Sequence, residues 1–424
     1  MLDLKFIREN AEKVKTAAKN KNIKVDVDEI LRLDDERKNY IPKIEKIRAE
    51  KNKASSEIPK LKGEEKEKVL AHMKEISAEE KNLNEELKKV EDALNGLLLI
   101  VPQVHSDETP VGKDDTENVE LYKIGEVPRF DFDIQDHVAL GEKLDILDFP
   151  RGVKIAGSRN YFLKNEGVLL EQAILRLTID MLMEKGFSPF SVPLLVNDAA
   201  MTGTAYFPGG EEQAYRVEKD ELNLIGTSEV SVCSYHSGEI LQESELPRLY
   251  AGISPCFRRE AGTYGKDTHG LYRVHQFMKV EQVVLCKNDM EESEKMFAML
   301  LKNAEDVLEA LGLPYRVVAV CSGDMGRGQY YKNDIETWMP SRKGYGETHS
   351  CSSFHEFQSR RLNIRYRDAH GNTQYVHTLN NTAIASPRIL IPILEIYQQK
   401  DGSVKVPEAL QKYMNGMKEI RPKK

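Results

Sequence analysis

Between Asp28 and Leu98 the chain is rich in Lys and Glu, has almost no glycine, and repeats its apolar residues at coiled-coil spacing. Ile30, Leu33, Tyr40, Ile44, Ile47, Ala54, Ile58 and Leu61 step by 3, 7, 4, 3, 7, 4 and 3. Val69, Met73, Ile76, Leu83, Leu87, Val90, Leu94 and Leu97 step by 4, 3, 7, 4, 3, 4 and 3. Each series draws one apolar seam along a helix, and a seam this narrow is covered by a second helix of the same kind. Pro59 and Gly63 interrupt the two series, so the second helix folds back on the first as an antiparallel hairpin. At 1.5 Å per residue each arm is about 50 Å long and projects from a globular body. Pro42 lies inside the first helix, lacks an N–H and predicts a kink there.

The chain has 424 residues and a net charge of −8, so any attraction to nucleic acid has to be local. The hairpin supplies such a locality: Lys43 to Lys74 carries a net charge of +4, and the rest of Asp28 to Asp92 a net of −6. A phosphate backbone is attracted to the tip and repelled from the root. The same distribution also fits a solvated helix surface whose charges have drifted by chance.

Five cysteines, Cys233, Cys256, Cys286, Cys321 and Cys351, form no C-x-x-C pair and leave an odd one over, which points to a reducing compartment. Met1 to Asn10 has no signal-like apolar core, and the longest clean apolar run, Leu97 to Val101, is far too short to span a bilayer. A cytoplasmic protein without a membrane segment is expected. Three segments follow: a helical arm over 1–100, a linker over 101–125 marked by Pro102, Pro110 and Gly112, and a globular domain over 126–424.

In that domain Leu169 to Lys185 reads as an amphipathic helix with Leu169, Ile174, Leu177, Ile179 and Leu182 on its stripe. Phe187 to Val196, broken by Pro189 and Pro193, reads as an edge or interface strand. Further strands are expected at Leu249 to Arg259, Tyr272 to Leu285, Tyr315 to Cys321, Asp334 to Met339 and Leu362 to Arg367. The second pairs with the first as a long hairpin across a stretch holding Gly262, Gly265 and Gly270, and helices at Met290 to Leu311 and Pro387 to Gln398 cover the sheet. The fold class is α+β with an antiparallel sheet.

No G-x-x-x-x-G-K-[ST] loop, H-E-x-x-H helix or G-x-S-x-G elbow occurs, and Gly323, Gly326 and Gly328 read as a surface turn. The chemistry gathers instead on charged residues near strands. Arg258, Arg259 and Glu260 precede the Gly-rich stretch, and Arg273, His275, Phe277 and Glu281 alternate on the return strand, which places these four on one face. An arginine fork suits phosphate or carboxylate, a ring suits a base, and a glutamate suits an ammonium group. Taken alone, the same residues also make a surface hairpin of cross-strand ion pairs. Glu347, Thr348, His349 and Ser350 bring an acid and hydroxyls together, and Thr378 to Arg388 sets polar residues ahead of an arginine at a helix start.

Their order settles the reading. Phe257-Arg258-Arg259-Glu260-Ala261-Gly262, then His275-Gln276-Phe277-x-Lys279-Val280-Glu281, then Thr378-Leu379-Asn380-Asn381-Thr382-Ala383 and Arg388 resemble the bacterial seryl-tRNA synthetases. The likeness runs from Met1-Leu2-Asp3 through the arm to Tyr397-Gln398-Gln399-x-Asp401-Gly402. It implies a class II synthetase catalytic domain: Pro193 and the preceding helix as motif 1 at a homodimer interface, Tyr250 to Leu285 as motif 2, and Ile384 to Gln398 as motif 3. It further implies ATP and L-serine as substrates, Mg²⁺ held by Glu347 and Ser350, and serine tRNA read by the arm on the partner subunit, with selenocysteine tRNA as a second substrate.

The resemblance assigns Arg258 to the α-phosphate and the serine carboxylate, Glu260 to the adenine amino group, Phe277 to stacking on adenine, and Arg388 to the γ-phosphate. Arg259, Val274, Thr348 and His349 join the ATP site. Thr227, Ser228, Glu229, Glu281 and Thr382, with Arg258, surround serine. The family has Thr-Ala-Glu where this chain has Thr227-Ser228-Glu229, so the Ser228 hydroxyl either enters the amino-acid pocket or points away from it.

Overall fold

The computed structural model describes residues 1–262 and 269–423; Gly265 of the expected hairpin lies outside them. The chain forms two compact units, Met1–Pro102 and Gln103–Lys424.

In the first unit, two short helices, Leu4–Glu9 and Ala11–Asn20, precede the long helices α1 (Val27–Glu57) and α2 (Glu64–Ile100). At about 1.5 Å per residue these run about 46 and 55 Å. The Asp26 side chain caps α1 by accepting from Glu29 N at 3.0 Å. The return turn uses a single 3-10 turn, Ile58–Lys60, and Gly63 at φ +61°, a left-handed conformation that suits glycine. Ile30, Leu33, Ile44 and Ile47 of α1 and Ile76, Val90 and Leu94 of α2 are buried along the seam the spacing predicts. Toward the tip, Ala54, Ile58, Leu61, Val69 and Met73 are only half-buried. Helix α1 runs through Pro42 without interruption. Pro42 and Lys38, whose carbonyl loses its helical donor, are both exposed residues, and the exposed side of a helix is where such a loss costs least. Asp34 ties the first short helix to α1: it is 2% exposed and meets Arg8 at 2.7 Å, Lys38 at 2.5 Å and Arg37 at 3.1 Å. Burial works to raise its pKa, but the hydrogen bonds from these three cations bring it down to about 2.

The second unit is built on one eight-stranded sheet. In chain order its strands are β1 (Val119–Ile124), β2 (Ser188–Ser191), β3 (Arg248–Phe257), β4 (Gln276–Cys286), β5 (Tyr315–Ala319), β6 (Tyr331–Met339), β7 (Gly344–His355) and β8 (His377–Ser386). Across the sheet they run β1-β5-β6-β7-β8-β4-β3-β2, antiparallel except for the edge pair β2 and β3. Among its helices are α3 (His137–Lys143), α4 (Glu166–Glu184), α5 (Met290–Ala310) and α6 (Leu390–Ile396). The main core joins Leu170, Ile174 and Leu182 of α4 and Leu300, Ala304 and Leu308 of α5 to Val280 and Val284 of β4 and Leu379 and Ile384 of β8. Gln282 and Asn381 reach across this interface to Leu300 O at 3.1 and 2.6 Å. One face of the central strands therefore packs on helices, and the other is left for chemistry.

Several expectations are corrected. The stretch expected to be a linker contains β1, which pairs with β5 at the sheet edge. Its six residues, Val-Glu-Leu-Tyr-Lys-Ile, are all exposed even though four are apolar or aromatic, and the run is too short to stand out beside the prolines and acidic residues before it. Leu169 is 41% exposed, and Leu170 takes its place on the buried stripe of α4. Strand β4 starts at Gln276, so Arg273 and His275 lie before it rather than alternating along it. Leu362 ends a short helix, Phe357–Leu362, leaving only Arg365–Arg367 extended. Two central strands, β7 and β8, carry no strand expectation, because polar residues and glycines outnumber apolar ones along both.

Candidate active site

A cavity of about 500 Å³ opens on the helix-free face of the sheet. Its floor comes from Phe277, Lys279 and Glu281 of β4, Asn380, Thr382 and Ala385 of β8, Glu347, Thr348, Ser350 and Ser352 of β7, and Lys332 of β6. Simple alternation does not put Glu347 and Ser350 on one face, because they are three residues apart. A β-bulge does. Ser350 pairs with Asp334 and His349 with Ile335, but Glu336 pairs with Glu347, so Thr348 is an extra residue and the faces exchange. A second bulge works alike: Val280 pairs with Ile384 but Glu281 with Thr382, leaving Ala383 extra and placing Thr382 and Ala385 together on the cavity side.

At one part of the cavity the walls are cationic and aromatic. The Arg258 side chain donates from Nε to Gly226 O at 3.2 Å, and its guanidinium lies 5.2 Å from the Phe277 ring centre. Glu260 pairs with Arg273 at 2.9 Å. Arg388 donates to Tyr272 O at 3.0 Å and Glu347 O at 2.9 Å, and its guanidinium sits 4.4 Å from the Tyr272 ring centre. Burial favours a neutral Glu347, but Arg388, Lys332, Arg258 and Arg273 outweigh it and hold the carboxyl below its ordinary pKa. The neighbouring Asp334, 3.0 Å from Lys332, goes the other way, pushed up to about 6 by burial.

A carboxylate pair forms another part. Glu281 meets Lys279 at 2.6 Å and accepts from Thr382 Oγ1 at 3.2 Å. Glu229 accepts from Tyr206 OH at 3.0 Å and Gln358 Nε2 at 2.8 Å. Its pKa rises to about 7 through burial and then through the charge of Glu281. A site that disfavours its own negative charge is well matched to an incoming cation.

Of the residues that the resemblance assigns to the site, Arg258, Glu260, Val274, Phe277, Glu347, Thr348, Ser350, Arg388, Glu229, Glu281 and Thr382 line this one cavity. Four do not. Arg259 is exposed, and its N–H donates to Gln213 O at 2.9 Å. His349 lies on the buried far face of β7, where burial lowers its pKa to about 3. Thr227 is buried, its hydroxyl accepting from Glu229 N at 3.2 Å. Ser228 donates from Oγ to Gly252 O at 3.0 Å, and a Cβ at Gly252 would come within 2.5 Å of that oxygen, so the Ser228 hydroxyl packs against β3. Sequence reasoning missed Tyr206, Lys332 and Gln329, which carry no motif; Gly326 and Gly328 do lie in the expected turn, closed by Gln329 N donating to Gly326 O at 3.2 Å, and that turn also walls the cavity. Among the described residues no group of three or more His, Cys, Asp or Glu could hold a metal. The oxygen donors of Glu347 and Ser350 do suit a hard cation that takes its remaining ligands from substrate phosphates and water.

The comparisons bear on the whole chain. Residues 1–105 match the family model of the seryl-tRNA synthetase N-terminal domain, and residues 214–397 that of the tRNA synthetase class II core domain (G, H, P, S and T). A serine–tRNA ligase of Deinococcus radiodurans is 48% identical over 98% of each chain. The chain belongs to the seryl-tRNA synthetases. Solved members of the family share its fold: seryl-tRNA synthetase from Pyrococcus horikoshii, complexed with ATP, is 40% identical with a TM-score of 0.92 over the full length of both chains. Cytoplasmic serine–tRNA ligase from Naegleria fowleri, in complex with AMP, is 32% identical with a TM-score of 0.88 over 100% of this chain and 99% of that one. A Giardia lamblia prolyl-tRNA synthetase, at 17% identity and TM-score 0.57 over 64% of this chain and 54% of that one, shares the fold of that part alone.

Proposed function

We propose that this seryl-tRNA synthetase is a serine–tRNA ligase whose cavity joins ATP and L-serine and then passes serine to tRNA. In the first step a carboxylate oxygen of serine attacks the α-phosphorus, the bond to the bridging oxygen breaks, and pyrophosphate leaves. In the second, a 3′-terminal ribose hydroxyl attacks the seryl carbonyl, and AMP leaves. Neither step calls for a protein nucleophile; both call for alignment and neutralised charge. Arg258 bridges the α-phosphate and the serine carboxylate, which lowers their mutual repulsion and sets the line of attack. Phe277 stacks on adenine, Glu260 accepts from its amino group, and Arg388 clamps the γ-phosphate. Glu229 and Glu281 receive the ammonium group, with Thr382 beside them at the hydroxyl. Mg²⁺, held by Glu347 and Ser350, would offset the charge of the phosphates.

The observation that carries this reading is the meeting, in one cavity of about 500 Å³, of two arginines suited to phosphate and carboxylate with a buried carboxylate pair suited to an ammonium group. Purified protein is expected to exchange pyrophosphate into ATP with serine and not with alanine or threonine. A pocket that satisfies a hydroxyl rejects an analogue lacking it by about 10⁴ to 10⁵ in comparable synthetases. Equal exchange with threonine overturns the specificity, and no exchange with serine overturns the reading.

The arm binds serine tRNA, and selenocysteine tRNA where one exists, by backbone and shape. Nine of its ten tip cations, all but Lys51, are exposed, which supports contact with phosphates. A homodimer is supported by the apolar side chains of Val153, Ile155, Phe162, Leu169 and Met183, each at least 41% exposed. No helix among the described residues is long and apolar enough to cross a membrane, and all five cysteines are buried free thiols, which suits the cytoplasm.

A further inference from the structure

Behind the arginine wall lies a polar network of His137, Ser341 and Glu395, none of which lines the cavity. At its centre is Glu395 of α6, which has no exposed surface. Its carboxylate accepts from His137 N at 3.0 Å, His137 Nδ1 at 2.8 Å, Ser341 N at 2.9 Å and Ser341 Oγ at 2.8 Å. His137 opens α3 and is itself 7% exposed. Its other nitrogen, Nε2, accepts from Leu271 N at 3.1 Å. A backbone N–H can only donate, so Nε2 is bare and Nδ1 carries the proton that reaches Glu395. The contact is close enough to dictate sequence: at Gly270, φ +80°, a Cβ would fall 2.1 Å from Nε2.

Both ends of this network arrive at Tyr272. Leu271, anchored by His137, precedes it in the chain. Ser341, anchored by Glu395, precedes Arg342, whose guanidinium lies 4.1 Å from the Tyr272 ring centre. On that ring and on the Tyr272 carbonyl rests Arg388, at 4.4 and 3.0 Å. Burying a carboxylate and an imidazole costs desolvation that well-packed apolar side chains would not incur. What hydrogen bonds add, and apolar contact does not, is direction.

We infer that His137, oriented by Glu395, is a positioning residue for ATP: through Leu271 N–H it fixes the segment 271–274 so that Tyr272 holds Arg388 in its phosphate-binding pose. This rests on the role proposed for Arg388. Glutamine and asparagine separate the two bonds of the ring. Glutamine carries an amide oxygen out to the Nε2 position and keeps the acceptor for Leu271, whereas asparagine reaches only the Nδ1 position and loses it.

The test is pyrophosphate exchange with serine, titrating ATP and serine separately in wild type, His137→Asn and His137→Gln. Wild-type exchange checks the parent reading; the variants check this one. In His137→Asn the KM for ATP is expected to rise about tenfold with the KM for serine within about twofold, and His137→Gln to return ATP to within about threefold of wild type. Equal damage by both variants, an unchanged ATP KM, or serine and ATP KM rising together overturns the inference. Should His137→Asn fail to fold, Tyr272→Leu tests the far end of the same network, with ATP KM expected to rise about fivefold and serine KM unchanged. An unchanged ATP KM there is equally decisive against it.

Discussion

The hairpin of α1 and α2 and the central strands β7 and β8 solve opposite problems. The hairpin buries an apolar seam and leaves its charges in water, so periodicity in the chain translates directly into shape. The two strands bury polar residues: Thr348, Ser352, Ser353, Thr378, Asn380 and Asn381 are all within 5% of complete burial. One face meets helices through single side-chain bonds, and the other lines the polar cavity proposed to receive a nucleotide and an amino acid. Where a region exists to be straight, its sequence is regular; where it exists to bind, function overrides the regularity.

The sharpest way to break this contrast is at the cavity. Arg258→Ala is expected to lower pyrophosphate exchange by about 10³-fold or more, since the charge clamp proposed for both reactants is lost at once. Wild-type rates in that variant would refute its role. The converse experiment replaces Lys43 to Lys74 by a short Gly-Ser turn. Charging of serine tRNA is expected to fall about 100-fold while exchange stays within about twofold, and the arm has no separate role if charging survives.

Smaller effects come from titration. Glu229 loses its charge below about pH 7, so kcat/KM for serine, which reports the free enzyme, is expected to decline on acidification through that value. A Glu229→Gln variant with the same pH profile would dismiss this assignment. Stability follows a different window. Burial lowers the pKa values of His349 and His355 to about 3 and that of His377 to about 4, with the neighbouring His377 adding to the effect at His355. The unfolded chain takes up these protons first, near pH 6.5, so stability is complete above that value and is lost as pH falls toward 4. All three lie in the second unit and outnumber Glu229 and Asp334, whose raised pKa values act with the opposite sign in the same window, so its denaturation midpoint should drop between pH 6.5 and 4. The arm's Asp34, held at about 2, matters only below about pH 4. Simultaneous loss of arm helicity across the upper window would erase the distinction. The least effect is expected from Glu80→Gln, which removes the half-buried carboxylate shared by Arg48 and the partly exposed Lys51 between the two helices and should shift the arm's melting by less than about 2 °C on a circular dichroism scan.

The same contrast explains what the chain discloses on reading. The hairpin was legible to within a few residues at each end because seam spacing and turn residues agree. Strands β3 and β4 were legible through their apolar runs, and α5 through its amphipathic stripe. Strands β7 and β8 were not, since Gly-Tyr-Gly-Glu-Thr-His-Ser and His-Thr-Leu-Asn-Asn-Thr look like turns to any rule that expects alternation. The candidate site was legible mainly through the order of its charged residues. What escaped were groups such as Tyr206 and Lys332, which reach the cavity from separate parts of the chain, and the network of His137, Ser341 and Glu395, whose members are up to 258 residues apart.

The extra residues at Thr348 and Ala383 make chain length, more than chemical identity, the sensitive variable in these strands. Excising either one would straighten a ladder and rotate everything on one side of it by half a turn, sending a glutamate into the oily side or an isoleucine into the solvent-filled one. Libraries that vary amino-acid type along β7 and β8 should therefore retain far more working enzymes than libraries that shorten them by a single position.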